Sequence, residues 1–365
     1  MANTTFGVND AMAVKHWARS LLFDVVYRSD IAALIGTDEN SIIHMKTETS
    51  KEAGDLVKFN LMKKLTGDGF TESEIAEGNG ESLSLYTDSI LINELGHVVE
   101  VPNNGRSIDA QRVHVDLRKA AKNGLSTWKR ERLSVTFFNH VCGYTPETRA
   151  KYAGNNTITA PTRKIVAESG SSNDEDLDTN DTFQLKYIDY AREMAETAAS
   201  PVRPINVNGV DGGRDIEGGR YVMYLHPYQI TDLRTDAGTG QWLDIQKAAM
   251  AGGDISKNPI YDGSLGEYNG VILRKANHVT QGVNSSTGAA ITTVRRAVLL
   301  GAQAACVAFG QNNSANTYNW NEELIDHKRK LEVSILTMWG LKKTKFDSQD
   351  FGSVVVSSYA AAHTS

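Results

Sequence analysis

A long helical pattern between residues 107 and 143 is the feature that most constrains the fold of this chain. Its sequence, SIDAQRVHVDLRKAAKNGLSTWKRERLSVTFFNHVCG, places apolar residues close to a 3.6-residue period and contains no proline. Ser107 or Asp109 can cap its start, and Gly143 can end it. About 34 helical residues at about 1.5 Å each would span on the order of 50 Å. We therefore predict one uninterrupted helix that serves as a strut.

Two β-rich runs precede this helix and predict a long hairpin. In DLVKFNLMKKL, the side chains of Val57, Phe59 and Leu61 alternate with the residues between them, the pattern of a half-buried strand. The second run is SILINELGHVVEV, residues 89–101. An isolated hairpin is marginally stable in water, so we expect this one to lie on a neighbour.

Glutamates and glycines fill the segment between the two runs. Glu72, Glu74, Glu77 and Glu81 lie close together there, interleaved with Gly, Asn and Ser. Paired carboxylates perform acid–base chemistry when burial separates their pKa values, but this composition offers nothing to desolvate them. We interpret the segment as the outward tip of an arm. The alternative is an enzyme that uses the glutamates, with a divalent cation.

Composition and charge exclude several classes of protein. The formal net charge of -6 and the pI near 5.9 argue against a dedicated nucleic-acid binder, which would carry a basic stripe. Cys142 and Cys306 stand too far apart for a CxxC pair or a zinc-ligand spacing. The first residues, MANTTFGVND, lack the basic and apolar regions of a signal peptide, and no stretch is apolar enough to cross a membrane. We expect a protein made in the cytosol.

The motifs that would indicate catalysis are not convincing in context. GVDGGRDIEGGR lacks the lysine and serine of a phosphate-binding loop, and DFG at residues 350–352 lacks the other kinase motifs. No GxSxG or HExxH occurs. We predict no enzymatic activity, no catalytic, cofactor-binding or metal-ligating residue, and no cofactor.

The remainder of the chain is predicted to be α+β. At the N-terminus, Ala13, Trp17, Leu21 and Val25 form a helical stripe that indicates an arm lying on another surface. RYVMYLHPYQITDLRTD predicts a buried strand followed by a helix that begins at Pro227. QWLDIQKAAM predicts a helix, TVRRAVLLGAQAACVAFG suits the middle of a packed subdomain, and the C-terminal region predicts two or three strands.

In this order, the segments resemble the major capsid proteins of tailed phages. The local blocks resemble the family typified by the N-four-type podophages, and seven of them occur in the family's order across residues 54 to 356. One departure is Gly80 before Glu81, where the tip of the family's arm more often has EGNEE. The blocks are EGNGESLSLYTDSILI, QRVHVDLRKAAKNGLSTW, YLHPYQITDLRTD, QWLDIQKAAM, NPIYDGSLGEYNGVIL, LLGAQAACVAFG and DFGSVVV.

The resemblance implies the capsid-shell fold shared by tailed phages and herpesviruses, the Hong Kong phage type. In that fold the chain would divide into five segments. These are an N-terminal arm at 1–45, an extended β-hairpin loop at 46–105, a peripheral domain with the spine helix at 106–214, an axial domain at 215–315, and C-terminal strands at 316–365 that return to the peripheral domain.

The resemblance also implies a structural function in the virion. The subunit would assemble with itself into pentamers and hexamers of an icosahedral shell around double-stranded DNA, which it would enclose without sequence-specific binding. Further partners would be a scaffold protein, a portal at one vertex and decoration proteins, with assembly in the cytoplasm of the bacterial host and no membrane contact. Since the sequence begins at Met1, we expect no N-terminal cleavage and a separate scaffold. The alternative is another self-assembling virion subunit, such as a tail-tube protein.

Five residues are predicted to contact neighbouring subunits. The N-terminal arm contributes Trp17, the first hairpin strand contributes Phe59 and Leu61, and the glutamate-rich tip contributes Glu77 and Glu81. Lys58, Lys63 and Lys64 are available in the arm for covalent cross-links, but no acceptor is evident, so we predict no cross-linking.

Overall fold

The described part of the chain has the α+β architecture that the sequence predicts. The predicted N-terminal arm with Trp17 lies largely outside this part, and the predicted helix QWLDIQKAAM lies wholly outside it. Side chains are described except at residues 60–62 and 85. The computed structural model describes residues 31, 34–46, 55–62, 69–72, 77–78, 80–82, 85–103, 105–112, 116–168, 170–205, 219–236, 266–311, 313 and 319–363.

Helices and strands alternate irregularly along the chain. The helices are α1 (Ile108–Arg112), α2 (Leu117–Val141), α3 (Lys186–Thr197) and α4 (Pro227–Thr235). The strands are β1 (Ile35–Gly36), β2 (Ile43–Lys46), β3 (Leu56–Met62), β4 (Leu85–Leu91), β5 (Asn93–Pro102), β6 (Lys164–Val166), β7 (Tyr221–Leu225), β8 (Glu267–Tyr268), β9 (Val271–Lys275), β10 (Gln281–Val283), β11 (Ala290–Leu300), β12 (Ala305–Phe309), β13 (Asn319–Ile325), β14 (Lys330–Lys343), β15 (Lys345–Phe346), β16 (Gln349–Asp350) and β17 (Ser353–Tyr359).

The prediction of one uninterrupted helix from Ser107 is wrong. Helix α1 ends at Arg112, Asp116 is not helical, and α2 begins at Leu117. Asp116 starts the new helix, because its Oδ1 accepts a hydrogen bond from Lys119 N at 3.2 Å, which is the geometry of an N-terminal cap. Helix α2 still has 25 residues and spans about 37 Å at about 1.5 Å per residue. It ends as predicted near Gly143, whose φ is 67°.

The second β-rich run, which was predicted as one strand of the hairpin, also forms two separate elements, β4 and β5. Ile92 separates β4 from β5, and the two strands have different partners. Strand β4 pairs with β3, whereas β5 pairs with β14. The hairpin therefore consists of β3 and β4 alone.

The chain forms two compact units. Among the described residues, the small unit comprises segments of 96–130 and 318–336, and the large unit comprises the rest. Helix α2 contributes residues up to Arg130 to the small unit and its remaining residues to the large one. The predicted division into five segments stays a prediction.

The small unit has its own core. Strand β13 pairs antiparallel with the first half of β14, from Asn319 opposite Leu336 to Ile325 opposite Lys330. Apolar residues on alternate positions of β14 face the first half of α2, as a strand with one buried face requires. His97 stacks on Trp128 with ring centroids 4.8 Å apart, so Trp128 packs between helix and strand. The buried core residues are Val101, Ala121, Leu125, Leu331, Val333 and Ile335.

The large unit is built around the strand order β6-β17-β11-β7-β9-β8, with β10 beside β11. Strand β7 is buried along its whole length because both faces of the sheet are covered. Tyr221 and Met223 pack with α3 and α4, whereas Val222 and Tyr224 pack with the second half of α2. The expectation of a buried strand before a helix at Pro227 is therefore confirmed. Strand β17 pairs with β11, from Val294 opposite Tyr359 to Leu300 opposite Ser353.

Candidate assembly surface

The β3–β4 hairpin has two chemically different faces. The strands pair in register from Leu56 opposite Leu91 to Met62 opposite Leu85. Because side chains alternate between the faces of a strand, the pair Val57 and Ile90 points to one side and the pair Leu56 and Leu91 to the other. Val57 and Ile90 are buried, while Leu56 is 44% and Leu91 39% exposed.

The inner face of the hairpin base rests on its own subunit. Val57, Ile90 and Ile92 form a buried cluster with Cys306 and Ala308 of β12. The expectation that this hairpin finds its packing surface only on a neighbour is therefore wrong for the base. The error arose because the sequence does not reveal that β12 lies beneath β4.

A polar contact also holds the base of the hairpin. Asp88 is 8% exposed, and its Oδ1 lies 2.5 Å from the Nζ atom of Lys342 on β14. Lys342 Nζ also donates to Ser89 O at 3.1 Å. A charged pair that is half removed from water and shares a further hydrogen bond holds β4 in one position on β14.

The far end of the hairpin is exposed. Phe70 is 61% exposed, although a side chain of that size is usually buried. Glu72, Glu77 and Glu81, the described members of the predicted glutamate cluster, are exposed as well, and Glu74 lies outside the described residues. The hairpin thus presents an apolar ring and carboxylates at one end and an anchored base at the other.

The five predicted contact residues have different surroundings. Trp17 lies outside the described residues, and the side chain of Leu61 does too, although its backbone belongs to β3. Phe59 is half-buried, packs against the cluster under the hairpin, and has Lys46 Nζ 4.3 Å from its ring centroid. Glu77 and Glu81 lie in the exposed segment between the strands.

No group of three or more His, Cys, Asp or Glu among the described residues is arranged to hold a metal ion. In the same residues, no helix combines the length and apolar character needed to cross a membrane. The exposed glutamates favour an arm tip over the alternative of an enzyme, since acid–base catalysis needs a desolvated carboxyl.

The DFG tripeptide has a structural role that sequence patterns do not reveal. The Oδ1 atom of buried Asp350 lies 2.8 Å from Nζ of buried Lys343. Its Oδ2 accepts a hydrogen bond from Thr162 N at 2.9 Å. Burial lowers the pKa of Lys343, while the carboxylate of Asp350 opposes that change. Asp350 ties β16 to the end of β14 and to the backbone at Thr162, in agreement with the interpretation that its likeness to a kinase motif is accidental.

Comparison with known proteins identifies the family to which this chain belongs. The sequence profile of the phage capsid protein family matches residues 5–362. The chain belongs to the phage capsid protein family. The major capsid protein of Pseudomonas phage KPP25 is 24% identical to this capsid protein in an alignment 357 residues long, which covers 91% of this chain and 90% of that protein.

Solved capsids have the same fold as this capsid protein. The chain of the Ralstonia phage GP4 capsid is 29% identical to this protein, with a TM-score of 0.78 and 100% of both chains covered. The capsid of cyanophage Pam1 is 23% identical, with a TM-score of 0.77 and 100% of both chains covered. The predicted tailed-phage capsid-shell fold and the predicted capsid function are therefore confirmed. The tail-tube alternative is not favoured.

The similarity to solved capsids also confirms one predicted partner, a second copy of the same chain. This capsid protein associates with copies of itself in a shell and forms part of the virion. Its family is one of structural proteins.

Proposed function

We propose that this capsid protein assembles into pentamers and hexamers of an icosahedral shell that encloses double-stranded phage DNA, and that its β3–β4 hairpin is the arm that joins neighbouring subunits. The shell forms in the cytoplasm of the bacterial host, around a separate scaffold protein and with a portal at one vertex. Decoration proteins are further partners. The division into an N-terminal arm, extended loop, peripheral domain, axial domain and returning strands belongs to the same proposal.

One observation carries the role of the hairpin: its base is anchored on its own subunit while its far end is exposed. The base is held by the cluster around Ile90 and by the Asp88–Lys342 pair. Phe70 at the far end is 61% exposed, although burying an apolar side chain of this size stabilises by about 1.5–3 kcal/mol. An anchored arm with an uncovered apolar end fits a contact that forms only in the assembled shell.

The predicted contact residues retain their roles in this proposal. Trp17 belongs to an arm that lies on another subunit, and Leu61, Glu77 and Glu81 belong to the part of the hairpin beyond its base. Phe59 stands between the anchored base and the far end, where its half-buried ring contributes to both.

A deletion tests the role of the hairpin. Residues 63–84 are replaced by Asn-Gly, which favours the tight turn that closes a two-stranded hairpin between Met62 and Leu85. The variant and the unchanged chain are each expressed alone and with the neighbouring virion genes, then examined by electron microscopy. We expect the variant to give soluble, folded subunits without closed shells.

A second variant tests whether shell formation depends on the side chains of the far end or only on its length. Residues 63–84 are replaced by a Gly/Ser-rich segment of equal length, which removes every side chain that could contact a neighbour. We expect this variant to fail in the same way. Normal shells from either variant would refute the arm, and tubes from the unchanged chain would refute the capsomer arrangement.

A further inference from the structure

Charge is distributed unevenly along this chain. Residues 96–130 and 318–336, which form the described small unit, contain 10 Lys and Arg against 7 Asp and Glu. The remainder of the chain contains 28 Lys and Arg against 37 Asp and Glu. A net positive unit within a net negative chain favours association between unlike surfaces of two copies.

The turn between β13 and β14 places cations on the surface of the small unit. It contains His327, Lys328 and Arg329, and all are exposed. The turn closes through a hydrogen bond from Arg329 N to Asp326 O at 3.0 Å. Asp326, His327 and Lys328 have φ values of 52°, 52° and 70°, which residues other than glycine adopt at a cost in energy.

A neighbouring loop holds this turn in place. Asn103 N donates to Arg329 O at 2.9 Å, and Asn103 Nδ2 donates to Lys328 O at 2.8 Å. Arg106 N donates to Asn103 O at 3.2 Å, so the exposed Arg106 belongs to the loop that supports the turn. The backbone of the turn is therefore fixed, and its side chains are presented from a rigid base.

Two of the cations in this region already have acidic partners. Lys330 Nζ lies 2.6 Å from Glu100 Oε1, and Arg329 Nη1 lies 3.6 Å from Asp326 Oδ2. Within the part of the chain that the structure describes, neither Lys328 nor Arg106 forms an ion pair. The basic end, defined as Arg106, His327 and Lys328, thus carries positive charge that the described small unit does not neutralise.

We propose that the basic end receives the hairpin tip, defined as Glu72 and Glu77, of a second copy of this chain. This inference rests on the proposed role of the hairpin as an arm between subunits. The tip is exposed, acidic and carried by the large unit, so tip and basic end are two different patches of one chain. A head-to-tail contact between unlike patches is the kind that closes into rings of subunits.

Charge reversal on both sides tests the pairing. One variant carries Arg106→Glu and Lys328→Glu, a second carries Glu72→Lys and Glu77→Lys, and a third combines all four changes. Each full-length variant is expressed with the neighbouring virion genes, and closed particles are counted after sedimentation. We expect on the order of tenfold fewer particles from each of the first two variants, because like charges placed opposite each other repel. The combined variant should recover most of the yield.

Two controls make the outcome specific. Lys151→Glu reverses an exposed cation in a turn of the large unit and should leave the particle yield unchanged. Thermal unfolding of each unassembled variant shows whether the subunit itself is intact. A loss of yield that the combined variant fails to restore would overturn the pairing. So would unchanged shells that retain less DNA, since the basic end would then contact phosphates.

The deletion and the charge reversals together distinguish a failure of this inference from a failure of the proposed arm. If removing residues 63–84 abolishes shells while the charge reversals have no effect, the arm stands and the basic end is not its receptor. If the deletion leaves shells normal, the proposed arm fails and this inference fails with it.

Discussion

Arg296 and Asp174 form an ion pair inside the large unit, with Arg296 Nε 2.7 Å from Asp174 Oδ2. The Asp174 side chain is fully buried and that of Arg296 is 5% exposed. Arg296 Nη1 also donates to Gly143 O at 2.7 Å, so one guanidinium binds the end of α2 as well as the carboxylate. Although burial raises the pKa of Asp174, Arg296 and Lys164 hold it below its usual value. The Arg296 guanidinium therefore holds the C-terminal end of α2 in place.

Removing the arginine should destabilise the subunit strongly. Arg296→Met leaves a buried carboxylate with Lys164 as its remaining cation, at 3.1 Å, and we expect a loss of about 3–5 kcal/mol in unfolding free energy. Urea denaturation of unassembled subunits measures it. Arg118→Met is the control, because the Arg118 side chain is 56% exposed and solvent screens its ion pair with Glu322, so the loss of stability should be much smaller. Equal losses in the two variants would contradict the buried-pair account.

Two glycine substitutions should act in opposite directions. A Cβ atom at Gly340 of β14 would lie 1.9 Å from Leu91 O, so Gly340→Ala must push β4 away and should cost about 1–3 kcal/mol. A Cβ atom at Gly124 of α2 would meet nothing within 4 Å, so Gly124→Ala should stabilise by about 1 kcal/mol through helix propensity. Thermal unfolding distinguishes the two. Destabilisation by Gly124→Ala would show that its surroundings are tighter than the structure indicates.

His140 should make the subunit sensitive to acid. Its Nε2 atom lies 2.8 Å from Ala153 O and donates to it, and burial lowers its pKa from 6.5 to about 4. Between those values the unfolded chain binds a proton that the folded chain does not, so stability falls as pH drops from 6.5 to about 4. The loss is at most about 3 kcal/mol.

The matched variants are His140→Gln and His327→Gln. Glutamine at position 140 keeps a donor for Ala153 O without a titrating ring, so stability should depend less on pH between 6.5 and 4. His327 lies in an exposed turn, and its replacement should leave the acid dependence unchanged. An identical acid dependence in wild-type and His140→Gln subunits would contradict the assignment.

Local sequence patterns predicted helices and strands correctly where one signal was strong, such as side-chain alternation or a proline at a helix start. The alternation of Val57 and Phe59 predicted β3, and Pro227 predicted the start of α4. The predicted helix began too early in the sequence, at Ser107. The apolar spacing continues across Asp116, although this residue separates α1 from α2. That aspartate was a usable signal, because an acidic residue just before Leu117 is a typical N-terminal cap.

The buried charges and the anchoring of the hairpin were not predictable in the same way. Asp88 and Lys342, or Asp174 and Arg296, are far apart in the sequence and meet only because strands and loops bring them together. A lone aspartate in an acidic stretch such as NDED is indistinguishable from a solvated one until its burial is known.

The sequence by itself determined the kind of elements, the glutamate-rich segment between two β-rich runs, and the likeness to phage capsid proteins, since periodicity and local motifs are properties of neighbouring residues. Only the tertiary structure decided which face of the β3–β4 hairpin rests on its own subunit, where α2 begins, and which cations stand without an acidic partner among the described residues. Those features depend on contacts between distant parts of the chain, where burial and the distance between charges set the energy.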